Sequence, residues 1–233
     1  MIGLVLDNWE DLGNLYHEYS FFGVQNNQGK GFYELNQKCK FPTISAYVQL
    51  AISKSRKNLK DSVTFTELFC ADAYYSMLAL KFGVDKSYGV DCNASFGIST
   101  EIAKRLKFDN YQFLCMTMDK MDTLEKTDIV ANIGGLYHVS NPKEILENSY
   151  NLSKKYLIVQ SVVSMSNSDE NYFETPAPGW TWGCRYNKYS FDNMIRSFDW
   201  KILDSYFNEL EGNGRLDDRG SVYYLIEKKA VQK

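Results

Sequence analysis

The sequence predicts an open, mostly parallel α/β sheet with an antiparallel strand at its C-terminal end. Three observations predict it. From residue 63 onward, short apolar runs alternate with helical stretches, the pattern of repeated βαβ units and a parallel sheet. The last two apolar runs are joined by a loop alone and so form an antiparallel pair. With 233 residues, 44% of them apolar, the chain can bury one sizeable core, and one domain with an appendage is the natural organisation.

The elements follow in order. Residues 9–22 carry aromatic and aliphatic side chains at near-helical spacing and predict a short helix, followed by a glycine- and asparagine-rich loop over 23–31. Residues 43–59 hold Ile44, Tyr47, Val48, Ala51 and Ile52 at the i, i+3, i+4 repeat. Pro42 serves as a start signal there, with Lys54, Arg56 and Lys57 near the negative end of the helix dipole. Strands are expected at 63–69, 87–91, 111–116, 128–132, 155–160, 200–207 and 221–226, with helices at 75–82, 97–106, 142–152 and 191–198. Asn141 is placed to cap the third of these helices, and Pro142 suits its first position.

Composition removes several function classes. Lysine and arginine total 26 against 29 acidic residues, so no global field draws the protein onto a polyanion. The apolar runs are far shorter than the roughly 20 residues a bilayer span needs, and Met1 to Leu6 meets Asp7 without a basic flank. Neither a membrane span nor a leader is expected, and a cytoplasmic location is. Five scattered cysteines and two histidines offer no C-x-x-C spacing and no multi-histidine cluster, so neither disulfides nor a metal site is expected.

In an open α/β sheet, ligands sit at the carboxyl ends of the strands. Strand one closes on Glu67-Leu68-Phe69-Cys70-Ala71-Asp72-Ala73, a turn of mostly small residues that lets the backbone approach a ligand. Strand two closes on Asp91, near the roughly 20-residue offset expected of a ribose-binding carboxylate. Each of its oxygens can accept from one hydroxyl. A turn-forming acid is the alternative reading.

These segments, with Gly89-Val90-Asp91, Asp128 to Val139 and Asn141-Pro142, resemble the ordered signature of class I S-adenosylmethionine-dependent methyltransferases, over roughly residues 60 to 165. Leu136-Tyr137-His138-Val139 followed by Asn141-Pro142 is similar to the branch that includes wobble-uridine tRNA modifying enzymes and assorted small-molecule methyltransferases. The resemblance implies a Rossmann-like methyltransferase fold with a mostly parallel seven-stranded sheet, an antiparallel C-terminal strand and an N-terminal helical lid. It divides the chain into a lid segment, 1–60, and an S-adenosylmethionine-binding domain, 61–233, with a substrate-recognition insertion around 166–190.

The cofactor implied is S-adenosyl-L-methionine. By the resemblance, Glu67 orders the loop near the methionine amino group, while Cys70, Ala71 and Ala73 line the methionine and ribose. Asp91 holds the ribose hydroxyls, and Cys92, Met118 and Asp119 surround the adenine. Asn132 and Ile133 sit beside the sulfonium. The sequence departs from the family where Cys70 and Asp72 or Ala73 stand in place of the usual glycines.

Methyl transfer needs in-line positioning, a dry site and at times a base. His138, at the mouth of strand four, is the catalytic candidate, with packing beneath the lid as the alternative. His17 ranks lower. Tyr137, Trp180, Trp182 and Arg185 are the candidate substrate contacts, offering flat apolar faces and a guanidinium fork; a satellite aromatic core is the alternative for the tryptophans. Asp217, Asp218 and Arg219 read as a solvated turn.

The expected function is methyl transfer to a small aromatic or sugar-like acceptor, with oxygen the favoured receiving atom. Two alternatives stay open. One is an RNA-base methyltransferase of the wobble-uridine type, for which the cluster Lys54, Arg56, Lys57 and Lys60 is the hint. The other is a non-catalytic S-adenosylmethionine-binding module, prompted by the unusual loop. A nucleic acid partner is not favoured, and oligomeric state is left open.

Overall fold

The structure, a computed structural model, describes residues 7–29, 33–58 and 60–229. The apolar opening 1–6 and the end of the glycine-rich stretch at Gly31 lie outside the described residues, as does Leu59. Seven strands form one sheet: β1 (Thr64–Leu68), β2 (Lys86–Asp91), β3 (Tyr111–Cys115), β4 (Thr127–Ile133), β5 (Ser153–Val163), β6 (Lys201–Glu209) and β7 (Gly220–Glu227). Their spatial order is β6-β7-β5-β4-β1-β2-β3. β7 runs antiparallel to both of its neighbours, and the remaining pairs are parallel.

Chain order reverses between β1 and β4, which opens a crevice at the carboxyl ends of the central strands. Helices cover both faces: α1 (Tyr33–Ser55), α2 (Tyr74–Lys81) and α3 (Ile98–Arg105) on one, α4 (Pro142–Leu152) and α5 (Lys188–Arg196) on the other. The strands sort their side chains accordingly. Ile129 and Ala131 face the first layer and Val130 the second; Tyr223 and Leu225 face the first, Val222 and Tyr224 the second. That period of two is the pleat, and burial on both sides makes β4 buried at every residue. Asn141 caps α4 through the Glu144 N–H, with Pro142 at its first turn.

Two expectations about the N-terminal part are corrected. Residues 9–22 form no α-helix; two 3-10 turns, Glu10–Leu12 and Ser20–Phe22, each stop at a glycine of positive φ, Gly13 and Gly23. Short parallel pairings, 7–8 with 24–25 and 14–15 with 27–28, fold the segment back on itself. Its apolar spacing serves the core all the same, because Trp9, Leu15, Tyr19 and Val24 are buried. Pro42 does not start α1, which runs through it from Tyr33. One backbone hydrogen bond is lost at the proline, but a buried face continues from Asn36 and Gln37 to Ile44, Tyr47 and Val48 and holds the helix together. Among the described residues no helix is long and apolar enough to cross a membrane, and no group of three or more acidic, histidine or cysteine side chains is placed to hold a metal.

Candidate active site

At the carboxyl ends of β1 to β5 lies a cavity of about 910 Å³, near the upper end of the roughly 300–1,000 Å³ usual for small-molecule sites. Its floor begins at the turn after β1. Cys70 accepts from the Ala73 N–H at 2.7 Å, closing that turn tightly. Phe69, Ala71 and Ala73 have φ of 57°, 47° and 63°, the left-handed region glycine enters freely and other residues reach at a cost. The positions that call for glycine are therefore these three, whereas Cys70 and Asp72 do not share that backbone. Contacts hold the strained turn. The Ala71 N–H donates to Asp91 Oδ2 at 3.2 Å, and the Ser76 N–H to Glu67 Oε2 at 2.6 Å. A Cβ on Gly135 would stand 1.9 Å from the Phe69 ring, so only glycine lets β4's outgoing loop pass.

Asp91 thus joins the ends of β1 and β2, and its other oxygen accepts from the Asn93 N–H at 3.0 Å. Buried Glu67 has its pKa pushed up to about 8 by desolvation, against the pull of its bond from Ser76. Glu67, Ala71, Asp91, Cys92, Met118, Asp119 and Ile133 all line the cavity. Cys70, Ala73 and Asn132 do not. Cys70 lies under the turn with Sγ against Ala71's carbonyl, Ala73 caps α2, and Asn132 donates across the second layer to Ser149 Oγ at 3.0 Å. Alternation along a strand end sends every second side chain to the core.

Asp72 is turned away from the cavity. Its Oδ2 accepts from the His17 N–H at 2.9 Å, Oδ1 pairs with His17 Nδ1, and its carbonyl accepts from Tyr19 Oη at 2.8 Å. The acid that looked misplaced in a cofactor loop therefore ties the N-terminal segment to it.

The opposite end of the cavity is aromatic. His138 packs on Tyr137 at 4.2 Å between ring centroids and stacks on Trp182 at 5.2 Å. Burial, then the charges of Arg185 and Lys40, lower the His138 pKa to about 4. The residue keeps an open surface at the cavity mouth, where water screens part of this; the direction is toward neutral imidazole. Trp180 and Trp182 remain 44% and 42% exposed, so they form a lip and not a satellite core. The insertion carrying them is anchored where the Cys184 N–H donates to the Tyr137 carbonyl at 3.0 Å, beside Gly183 at φ 72°.

Arg185 lines the cavity, but its fork is engaged, with Nη2 2.6 Å from Asp218 Oδ1 and Nη1 donating to the Cys184 carbonyl at 2.7 Å. The expected solvated turn is corrected by the same pair, since Asp217 also accepts from Ser164 and Ser166. Tyr16, His17, Tyr33, Asn36, Gln37 and Lys40 complete the wall. Tyr33, Asn36, Gln37 and Lys40 precede Pro42, which by local rules reads as a helix start; the polar stripe at 33, 36, 37 and 40 is the sequence signal that the helix begins earlier and faces the cavity.

The sequence matches the methyltransferase domain family over residues 59–210. The chain belongs to this family. It is a class I S-adenosylmethionine-dependent methyltransferase, and the sheet order and crevice agree with that membership. No curated protein matches the sequence. Among solved structures, magnesium protoporphyrin IX methyltransferase from Synechocystis PCC 6803, with bound SAH, is similar at a TM-score of 0.65 and 12% identity, covering 92% of this chain and 97% of that one. The N-terminal domain of EvdMO1 with SAH bound gives 0.68 and 11%, covering 94% and 93%. Coclaurine N-methyltransferase bound to N-methylheliamine and SAH gives 0.60 and 10%, covering 79% and 72%.

Proposed function

We propose that this methyltransferase transfers its methyl group to the oxygen of a small aromatic acceptor. The observation that carries the reading is one continuous cavity, with acids at its floor and stacked rings at the far end. S-adenosylmethionine supplies an electrophilic methyl group on a sulfonium. The fit of the residues to it rests on the floor: Asp91 for the ribose hydroxyls, Glu67 toward the methionine ammonium, and Met118 with Cys92 and Asp119 around the adenine. Ala71 and Ile133 supply the apolar walls between them.

At the acceptor end, Tyr137 and Trp182 offer flat faces, and His138 stands between them as a neutral hydrogen-bond acceptor for a hydroxyl. Held neutral, it orients the hydroxyl and receives its proton as the oxygen bonds to the methyl carbon and the carbon–sulfur bond of the sulfonium breaks; its lowered basicity makes it a weak base, and nearby cationic charge compensates by easing ionisation of the hydroxyl. Residues 7–29 and the start of α1 act as the lid, and the insertion around 166–190 sets acceptor choice. The similarity to magnesium protoporphyrin IX methyltransferase and to coclaurine N-methyltransferase supports a small acceptor. The RNA reading is weakened at one of the four members of its basic cluster, because Arg56 is paired with Asp85 at 2.6 Å and bonded to the Gly83 carbonyl.

The test is transfer of a deuterated methyl group from S-adenosylmethionine to matched panels of hydroxy- and amino-aromatic compounds, read by mass spectrometry. Methylation of the hydroxyl panel is expected. Methylation confined to nitrogen overturns the choice of atom, and failure of wild type to bind SAH would contradict the assignment of the cofactor site.

A further inference from the structure

Along α1, the side chains that reach the cavity recur at helical spacing: Tyr33, Asn36, Gln37 and Lys40. Gln37 is occupied, accepting from the Glu18 N–H at 2.8 Å and donating to the Glu18 carbonyl at 2.9 Å. Lys40 is different. Among the described residues its ammonium has no ion-pair partner and no hydrogen-bond acceptor, and enclosure by protein lowers its pKa to about 8. A desolvated cation without a counter-charge is unfavourable, which marks a place prepared for an anion from outside the chain.

Its position says which anion. Lys40 shares the cavity with His138 and follows Cys39, whose Sγ accepts from the Glu211 N–H at 3.4 Å and whose carbonyl accepts from Asn208 Nδ2 at 3.0 Å, so it stands beside the β6–β7 loop that carries Asp218, the partner of Arg185. The ammonium therefore belongs to the acceptor end and not to the cofactor floor. The other cation there, Arg185, is neutralised by Asp218. Among the described residues, the acceptor end thus carries one cation without an ion-pair partner, Lys40, in the cavity that Tyr137 and Trp182 also line.

We propose that Lys40 is the specificity residue for the methyl acceptor, and that the acceptor is an aromatic small molecule bearing an anionic group, a carboxylate or a phosphate. The inference rests on the acceptor site described above. An ammonium on a flexible stem can follow either anion, and a low-dielectric wall strengthens the attraction.

The experiment uses full-length protein saturated with SAH and measures, by isothermal calorimetry, the binding of para-hydroxybenzoate, phenyl phosphate and neutral para-hydroxybenzamide. At least one anion is expected to bind about tenfold or more tighter than the amide, and the tighter of the two names the group. Lys40→Met is expected to abolish this preference while leaving SAH affinity unchanged, and Lys40→Arg to keep it. Equal binding of the three probes by wild type, binding of none at millimolar concentration, or a preference that survives Lys40→Met overturns the proposal. So does a loss of SAH affinity in Lys40→Met, which would assign the ammonium to the cofactor's own carboxylate. Should Lys40→Met fail to fold, the wild-type comparison and Lys40→Arg decide. Failure of wild type to bind SAH is a separate result, and it removes the methyl-transfer reading itself.

Discussion

The turn after β1 holds three residues with side chains, Phe69, Ala71 and Ala73, in a backbone conformation that glycine enters at no steric cost. Each is disfavoured by about 1–2 kcal/mol in the left-handed region. Local contacts offset this, above all the bond from Ala71 to Asp91 and the seat of Phe69 against Gly135. Ala71 lines the cavity, so its methyl group adds little packing. Ala71→Gly is therefore expected to leave stability unchanged or raise it by up to about 1 kcal/mol, relief of strain outweighing the added freedom of the unfolded chain; urea unfolding measures it. Asp91→Ala is expected to weaken SAH binding by more than about 1 kcal/mol, since a charge-assisted acceptor for hydroxyls is lost. Calorimetry checks this, and an unchanged affinity would place the ribose elsewhere.

At the scale of elements, the N-terminal segment is held to the sheet by contacts far apart in sequence, and Asp72 is their hub. It satisfies the backbone and ring of His17 with its carboxylate and the hydroxyl of Tyr19 with its carbonyl. Because Tyr16 and His17 also line the cavity, this anchor fixes one wall of the site. Asp72→Ala leaves the His17 N–H without its acceptor and is expected to cost about 1–3 kcal/mol. Hydrogen exchange is expected to quicken in residues 14–29 while the strands β1, β4 and β5 keep their protection. Uniform loss of protection would mean that the segment is not a separate unit. The helix α1 makes the complementary point: Pro42 reads as a boundary by local rules, yet packing on both sides of it carries the helix through.

Across the whole molecule, the cavity is polar in a directional sense, acidic at Asp91 and Asp119 beside a protonated Glu67, and cationic at Lys40, the charge of Arg185 being offset by Asp218. Glu67 couples that arrangement to pH. Its pKa of about 8 in the fold lies above the ordinary value of 4.5, so the folded protein holds a proton there that the unfolded chain releases. The contribution of this group to stability is full below about 4.5 and is lost as pH rises toward 8. An ammonium placed beside Glu67 favours the carboxylate and expels the proton. S-adenosylmethionine binding near pH 7 is accordingly expected to release a proton, seen as a calorimetric heat that varies with buffer ionisation enthalpy, and Glu67→Gln is expected to abolish that dependence.

By itself, the sequence determined the βαβ framework, the cap of α4 and the family, because apolar period and strand-end chemistry are local and repeat along the chain. Asp91 and the turn at 67–73 were legible for the same reason: their spacing encodes where β1 and β2 end. Only the tertiary structure decided that Phe69, Ala71 and Ala73 carry the left-handed backbone, that Asp72 serves the N-terminal segment, that Arg185 is taken by Asp218, and that Lys40 has no ion-pair partner among the described residues. Each of these depends on a contact between residues distant in sequence or on burial by another element. The charge and shape of a side chain are written in its own position, but whether it is paired, strained or free is set by what folding brings beside it.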